Sequence, residues 1–488
     1  MQGIKGTLPL LAAMTAYREE ECIPFHTPGH KYGRGMHPAL AKLFTTEALA
    51  MDVSLMQELD DFFSPTGCIK EAQERAARVY GAGQSFFIVN GTTAAIHAML
   101  LAAVRPGGKV IVARNAHRSV LGGLILAGAN PVFVATEADQ ALGIAGQILP
   151  STIEAALAAH PDAQAILVTT PNYYGGGCDL AAITALAHAR NIPVLVDEAH
   201  GPHLGFDRRL PVSALSVGAD LAAQSTHKLL GALTQASILH VGKTSLIAAE
   251  KVSSALAVLQ TTSPNYWLLA SLDAAVGQLD DNGNQLIGAV VDLAQEIRER
   301  INAIDGLFCF GMERIGTAGL YSVDLCKITV TVSGLGLTGV EAERILRRQS
   351  RFQVELVDQN NVLLLITLGD SPETATLVEA AMRNLAARRK PLRSEPVFTA
   401  PPQQTAELSM LPREAFFARK KSVPVQQAVG MIAAEPVTFY PPGIPVLLPG
   451  ERISREILNW CLAGRQAGLY LSGPQDEQFE TIQVVEKA

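Results

Sequence analysis

Lys228 stands in the stretch "QSTHKLLGALTQAS" (224–237), directly behind a serine, a threonine and a histidine and between two apolar runs. An amine so placed is either a solvated loop residue or a reactive group held in a site. Asp197 closes the apolar run "PVLVD" thirty-one residues earlier. A carboxylate at the mouth of a buried strand is costly unless a cation meets it. His117 follows "KVIVA" within "RNAHRS" (114–119), and "NGTTAA" (90–95) follows "SFFIV" and opens an alanine-rich stretch. The unpaired N–H groups of a helix start, here Thr92, Thr93 and Ala94 with the two hydroxyls, can hold a phosphate. Plainer readings exist: an ordinary N-cap for "NGTTAA", a cap or turn for His117, a strand-end acid for Asp197.

Taken together, the four features answer the needs of one cofactor. Pyridoxal 5'-phosphate requires a phosphate cradle, a plate on the ring face, a carboxylate that keeps the pyridine nitrogen protonated, and a lysine for the aldehyde. Thr93 with the "GTTAA" backbone would supply the first, His117 the second, Asp197 the third and Lys228 the fourth.

The elements that must position these residues are legible in the same region. From about residue 80 to 245, β-rich runs such as "SFFIV", "KVIVA", "PVFVA", "AILVTT" and "PVLVDE" alternate with helical stretches such as "TTAAIHAMLLAAV" and "LAAITALAHAR". That rhythm predicts βα units and a mostly parallel sheet, with ligands outside the carboxyl ends of the strands. The order of the four features along it matches the large domain of fold type I pyridoxal enzymes. Helical patterning dominates about 250–305, and "KITVTVSG", "GVEAERILRR", "FQVELV" and "NVLLLITLG" suggest a smaller α/β domain. The expected division is an N-terminal arm and helical segment (1–79), a large cofactor domain (80–305), a small α/β domain (306–390), and a linker with C-terminal domain (391–488), the linker being the proline-rich 391–405.

Two other motifs compete. "VDEAHG" resembles an ATPase box, but no G-x-x-x-x-G-K-[ST] loop accompanies it. "GLGLTG" (334–339) is a literal G-x-G-x-x-G with Glu355 about twenty residues on, the dinucleotide fingerprint. It lies late in the chain with little room for a full dinucleotide domain, so a glycine-rich turn is the favoured reading and a nicotinamide-binding or catalytically silent protein the alternative.

With 488 residues, 48% of them hydrophobic, the chain can bury a large core, and a net charge of −7 argues against a general nucleic-acid or anionic-membrane surface. Six scattered cysteines show neither zinc spacing nor a disulfide framework, and no eighteen apolar residues run together, so a cytoplasmic protein is expected.

"FHTPGHKYGRG", "NGTTAAIHA", "ARNAHRSV", "VDEAHG", "STHKLLGALTQAS", "TTSPNYWLLASLDAA" and "YPPGIPVLLPGE" resemble the bacterial ornithine/lysine/arginine decarboxylases of fold type I, over nearly the whole chain. About 80 residues precede the first βα unit, which resembles the shorter members without a flavodoxin-like N-terminal wing. The resemblance implies a Schiff base on Lys228, ring stacking by His117, pairing of the pyridine nitrogen by Asp197, ring-face packing by Ala199, and phosphate contacts from Thr93, Ser225 and His227. It implies that "TTSPNY", with Ser263, reaches the phosphate of a neighbouring subunit, hence a homodimer or dimer of dimers with shared sites. His200 and His30 would line the site, and Lys228 or His227 would return the proton after loss of carbon dioxide. The implied activity is decarboxylation of a basic amino acid in polyamine metabolism, arginine favoured over lysine and ornithine; another fold type I reaction, by an aminotransferase or carbon–sulfur lyase, is the alternative. Glu451, at the end of the proline-studded "YPPGIPVLLPGE", either binds the cationic substrate or caps the following helix.

Overall fold

The computed structural model describes residues 8–392, 406–439 and 443–486. Seven strands form the central sheet: β1 (Gln84–Ile88), β2 (Lys109–Ala113), β3 (Asn130–Val134), β4 (Ala165–Thr169), β5 (Val194–Asp197), β6 (Leu221–Gln224) and β7 (Ser237–Val241). Their spatial order is β1-β7-β6-β5-β4-β2-β3, all running the same way except β7, which is antiparallel to both neighbours.

Every residue of β5 and β6 is buried, which is why these strands read as unbroken apolar runs: both faces of a parallel sheet are covered. Alternation sorts the side chains. Val110, Val112, Leu167, Leu195 and Leu221 pack under the helices Gly91–Ala103, Arg118–Ala127 and Ala249–Leu259, while Ile111, Ile166, Val168, Val194 and Val196 face Pro150–Ala159 and Leu180–His188. The helix Tyr266–Asn302 is started by Asn265, whose side chain accepts from the N–H groups of Trp267 and Leu268, and it is kinked at Asn282.

A second sheet follows, with β8 (Phe308–Cys309), β9 (Lys327–Thr331), β10 (Leu356–Val357) and β11 (Asn361–Leu365) in the order β8-β9-β11-β10, all antiparallel. The expected strand "FQVELV" shrinks to β10. Antiparallel pairing removes the βαβ setting that a dinucleotide fingerprint needs. The glycines of "GLGLTG" have structural reasons instead: Gly336 adopts a left-handed φ of 70°, and a Cβ on Gly339 would come within 2.2 Å of the Asp358 carbonyl oxygen. Thr338 caps the helix Gly339–Ser350 in a capping box with Glu341.

Beyond residue 405, paired strands Lys420–Pro424 and Thr481–Val485, a small sheet centred on Val437–Phe439 and the helix Arg455–Gln466 enclose a separate core containing Val437, Leu447, Ile457 and Phe479. Most of the expected linker, 393–405, and the prolines at 441 and 442 lie outside the described residues. No described helix is long and apolar enough to cross a membrane.

Candidate functional site

A cavity of about 450 Å³ opens at the carboxyl ends of β1, β2, β4, β5 and β6. The residues just past those strand ends form its wall, among them Thr92, Thr93, His117, Asp197, Ala199, His200, Ser225, His227 and Lys228. Parallel strands place all their carboxyl ends on one edge, so residues more than a hundred positions apart converge there.

Asp197 ends β5 opposite Thr169 of β4 and Ala223 of β6. Only 2% exposed, its carboxylate accepts from the Ala199 N–H at 3.2 Å and forms no ion pair among the described residues. Burial pushes its pKa up to about 6, against the opposing pull of the Lys228 charge. Lys228 lies in the single helical turn Thr226–Leu229 immediately after β6. Its Nζ stands 3.0 Å from Nε2 of His200 and 5.8 Å from the centre of the Tyr173 ring. Burial lowers its pKa, with Asp197 and Glu355 acting the other way.

His117 is both cap and cavity wall. Its Nδ1 accepts from the Ser119 N–H at 3.2 Å at the start of Arg118–Ala127, and burial first, then the charges of Lys228 and Arg118, push its pKa down to about 4. The ring is therefore neutral at ordinary pH. At the other end of the cavity the Thr92 hydroxyl lies 2.5 Å from those of Ser225 and Ser237, joining the helix start to β6 and β7. His227 directs Nδ1 at the Ala236 carbonyl oxygen, 2.8 Å away, and burial lowers its pKa.

Four residues singled out in the sequence stand apart. Ala94 is buried inside the helix Gly91–Ala103 and is not in the cavity wall. Ser263 is exposed in a turn whose Thr261 N–H reaches Asn90 Oδ1 at 3.3 Å. His30 is paired with Asp52 at 3.1 Å within the N-terminal segment. Glu451 is fully buried against Arg114, and the helix Arg455–Gln466 is capped by Ser454, so neither expected setting of Glu451 is the observed one within this chain.

Others were missed. Asn172 and Tyr173, in the "TPNYYG" that follows β4, line the cavity, and the Tyr173 hydroxyl donates to Glu355 Oε1 at 3.0 Å. Their position at a strand end was the available signal. Lys327 of β9 is 1% exposed and places its Nζ 2.5 Å from Nδ1 of His200; nothing in "DLCKITV" distinguishes it from a strand-edge lysine.

Residues 8–374 match the family described as Orn/Lys/Arg decarboxylase, major domain, and residues 395–475 match the C-terminal domain of that description. The chain belongs to the Orn/Lys/Arg decarboxylase family. This decarboxylase is similar to the arginine decarboxylase of Halalkalibacterium halodurans, with 44% identity over 481 residues covering 98% of each chain. It is 41% identical to the arginine decarboxylase of Bacillus subtilis over 486 residues, again 98% of each. The fold matches the solved lysine decarboxylase LdcF of Francisella novicida with a TM-score of 0.85 at 21% identity, over 98% of this chain and 81% of that one. A fold type I α/β architecture is thereby shared with other members of the Orn/Lys/Arg decarboxylase family.

Proposed function

We propose that the chain decarboxylates a basic L-amino acid, arginine in the first place, using pyridoxal 5'-phosphate held in the cavity at the strand ends. The observation that carries the reading is Asp197: a carboxylate buried in a cavity wall without an ion-pair partner among the described residues, facing the same space as the Lys228 amine. A protonated pyridine nitrogen is the cation whose arrival would offset that burial. Bound there, pyridoxal phosphate supplies an aldehyde and an electron sink for the pair left on the α-carbon when carbon dioxide departs.

The protein's own contributions follow from position. Asp197 holds the positive charge on the ring nitrogen. The N–H groups at Thr92 and Thr93, the Ser225 hydroxyl and His227 would hold the phosphate, and neutral His117 and Ala199 would hold the ring. Lys228 would hold the aldehyde, and Lys228 or His227, both in the cavity wall, would return a proton to the α-carbon. Glu355, exposed and held by the Tyr173 hydroxyl at the edge of the cavity, replaces Glu451 as the carboxylate for the cationic end of the substrate. The two arginine decarboxylases with 44% and 41% identity support arginine over lysine and ornithine.

The same reading makes the amine product a precursor for polyamine synthesis, the protein a cytoplasmic homodimer or dimer of dimers with Ser263 at the neighbouring site, and the chain a succession of domains over 1–79, 80–305, 306–390 and 391–488. Borohydride reduction of the cofactor-loaded protein followed by peptide mapping tests the site. A pyridoxyl group on Lys228 is expected; the group on another lysine would overturn the assignment.

A further inference from the structure

His200 is held between two lysines: Nε2 faces Lys228 Nζ at 3.0 Å and Nδ1 faces Lys327 Nζ at 2.5 Å. A neutral imidazole has one N–H and one lone pair, so one amine donates to the ring and the other must accept from it. An amine that accepts carries no extra proton. The geometry therefore requires that at least one of the two lysines be the free base whenever the ring is neutral. Neutrality follows from the surroundings, since burial first, then the charges of Lys228 and Lys327, oppose an imidazolium.

Lys327 is built in rather than incidental. It comes from the small antiparallel sheet, and the Asp324 carboxylate is the negative charge acting on it most strongly. Asp324 Oδ1 is fixed by the Cys326 N–H at 3.0 Å and by His203 Nε2 at 3.1 Å. From the long helix, Arg298 donates to the Lys327 carbonyl oxygen at 3.0 Å. The Tyr173 ring lies 5.4 Å from Lys327 Nζ and covers both amines. Glu355 is the remaining acid felt by both, and Asp197 acts on Lys228 alone. Burial pushes the Lys327 pKa down to about 7, within reach of proton exchange at working pH.

We propose that Lys327 and His200 form a proton relay that leaves Lys228 as a nucleophilic free amine. The proton on Lys228 Nζ passes to His200 Nε2 while the proton on Nδ1 of the same ring passes to Lys327 Nζ. One N–H bond is lost and one gained at the imidazole, whose tautomer reverses, and the net change is one proton moved from Lys228 to Lys327 beside Asp324. The hydrogen bonds are satisfied before and after. Lys327 touches no reacting atom and is a positioning residue; the relay rests on the proposed role of Lys228 as the cofactor-bearing lysine.

The test is competitive acylation of Lys228 in the cofactor-free full chain across pH, read by peptide mass, together with kcat and KM of the loaded enzyme. Lys327→Met is expected to raise the midpoint of Lys228 labelling by about one pH unit, because a neighbouring positive charge and the proton acceptor are both lost. It should lower kcat by about a hundredfold with KM little changed. Lys327→Arg keeps the charge but cannot take up a proton. It is expected to hold the midpoint low and still lose kcat. His200→Gln severs the link between the amines, leaves Lys327 with Asp324, and gives the same loss if Lys327→Met does not fold. An unmoved midpoint in Lys327→Met and His200→Gln, or full kcat in Lys327→Arg, would overturn the relay. Absence of carbon dioxide release by the wild type would instead sink the proposed function, leaving the labelling result intact.

Discussion

Glu451 Oε2 lies 3.2 Å from Arg114 Nη2 and 2.7 Å from the Leu448 N, while Arg114 donates two further N–H groups to the Pro445 and Val446 carbonyl oxygens. The pair fastens the C-terminal segment to the residue that leaves β2 three positions before His117, and Ile444 of that segment enters the cavity wall. Glu451→Gln should therefore lower stability by roughly 1–3 kcal/mol, the cost of weakening a buried charged hydrogen bond. KM for the basic amino acid should stay put. Thermal unfolding and steady-state kinetics on one preparation check this; a raised KM with unaltered unfolding would return Glu451 to substrate recognition.

His117 combines a helix cap with a place in the cavity, and two substitutions separate the roles. Asparagine is a good N-cap, so His117→Asn should stay within about 0.5 kcal/mol of wild-type stability while cofactor affinity and turnover fall. His117→Ala should lose about 1 kcal/mol more. Denaturant unfolding and cofactor titration read the two effects independently. Equal cofactor affinity in wild type and His117→Asn would reduce the residue to a cap.

Asp197 makes the cofactor-free chain pH-sensitive. Its folded pKa of about 6 lies above the ordinary 3.8, so the folded chain holds this proton more tightly than the unfolded one. The stabilisation is present below about pH 4 and is lost as pH rises towards about 6. Glu198, raised to about 7 by burial, adds a loss in the same direction, whereas His117 and His240, both pushed down by burial, act oppositely. The difference between wild type and Asp197→Asn isolates the one group. That difference should move against the wild type by about 2 kcal/mol between pH 4 and pH 7. Parallel stability curves for the two proteins would show that the carboxylate is not strained by burial.

The large sheet was readable because its central strands are apolar on both faces and β1, β2, β5 and β6 each lead into a polar cluster, which puts Thr92, His117, Asp197 and Lys228 on one edge. The antiparallel pairing of the small sheet was not readable, since "KITVTVSG" and "NVLLLITLG" carry no mark of direction. Lys327 escaped notice, and Glu355 was read only as the acid of a dinucleotide fingerprint, because their approach to the cavity depends on how the second sheet packs, and single sequence stretches do not encode contacts of that range. Glu451 misled because a rigid proline-studded segment can present an acid outward or bury it, and only the position of Arg114 decides.

Tyr173 and Glu355 set the next expectation. Glu355→Gln should raise KM for arginine about tenfold, the loss of a charged partner at a partly exposed site, while kcat changes less. Tyr173→Phe, which frees the Glu355 carboxylate from its donor, should raise KM by a smaller factor. Substrate titrations with arginine, lysine and ornithine provide the comparison, and unchanged KM values for all three would remove Glu355 from recognition.

The most direct measurement is release of carbon dioxide from carboxyl-labelled L-arginine, L-lysine and L-ornithine by the cofactor-loaded wild type and by Lys228→Ala. The account predicts label released as carbon dioxide, fastest from arginine, with the matching amine formed in equal amount and nothing released by Lys228→Ala. Label retained in the carboxyl group while the α-amino group passes to a keto acid, or release undiminished in Lys228→Ala, would contradict it.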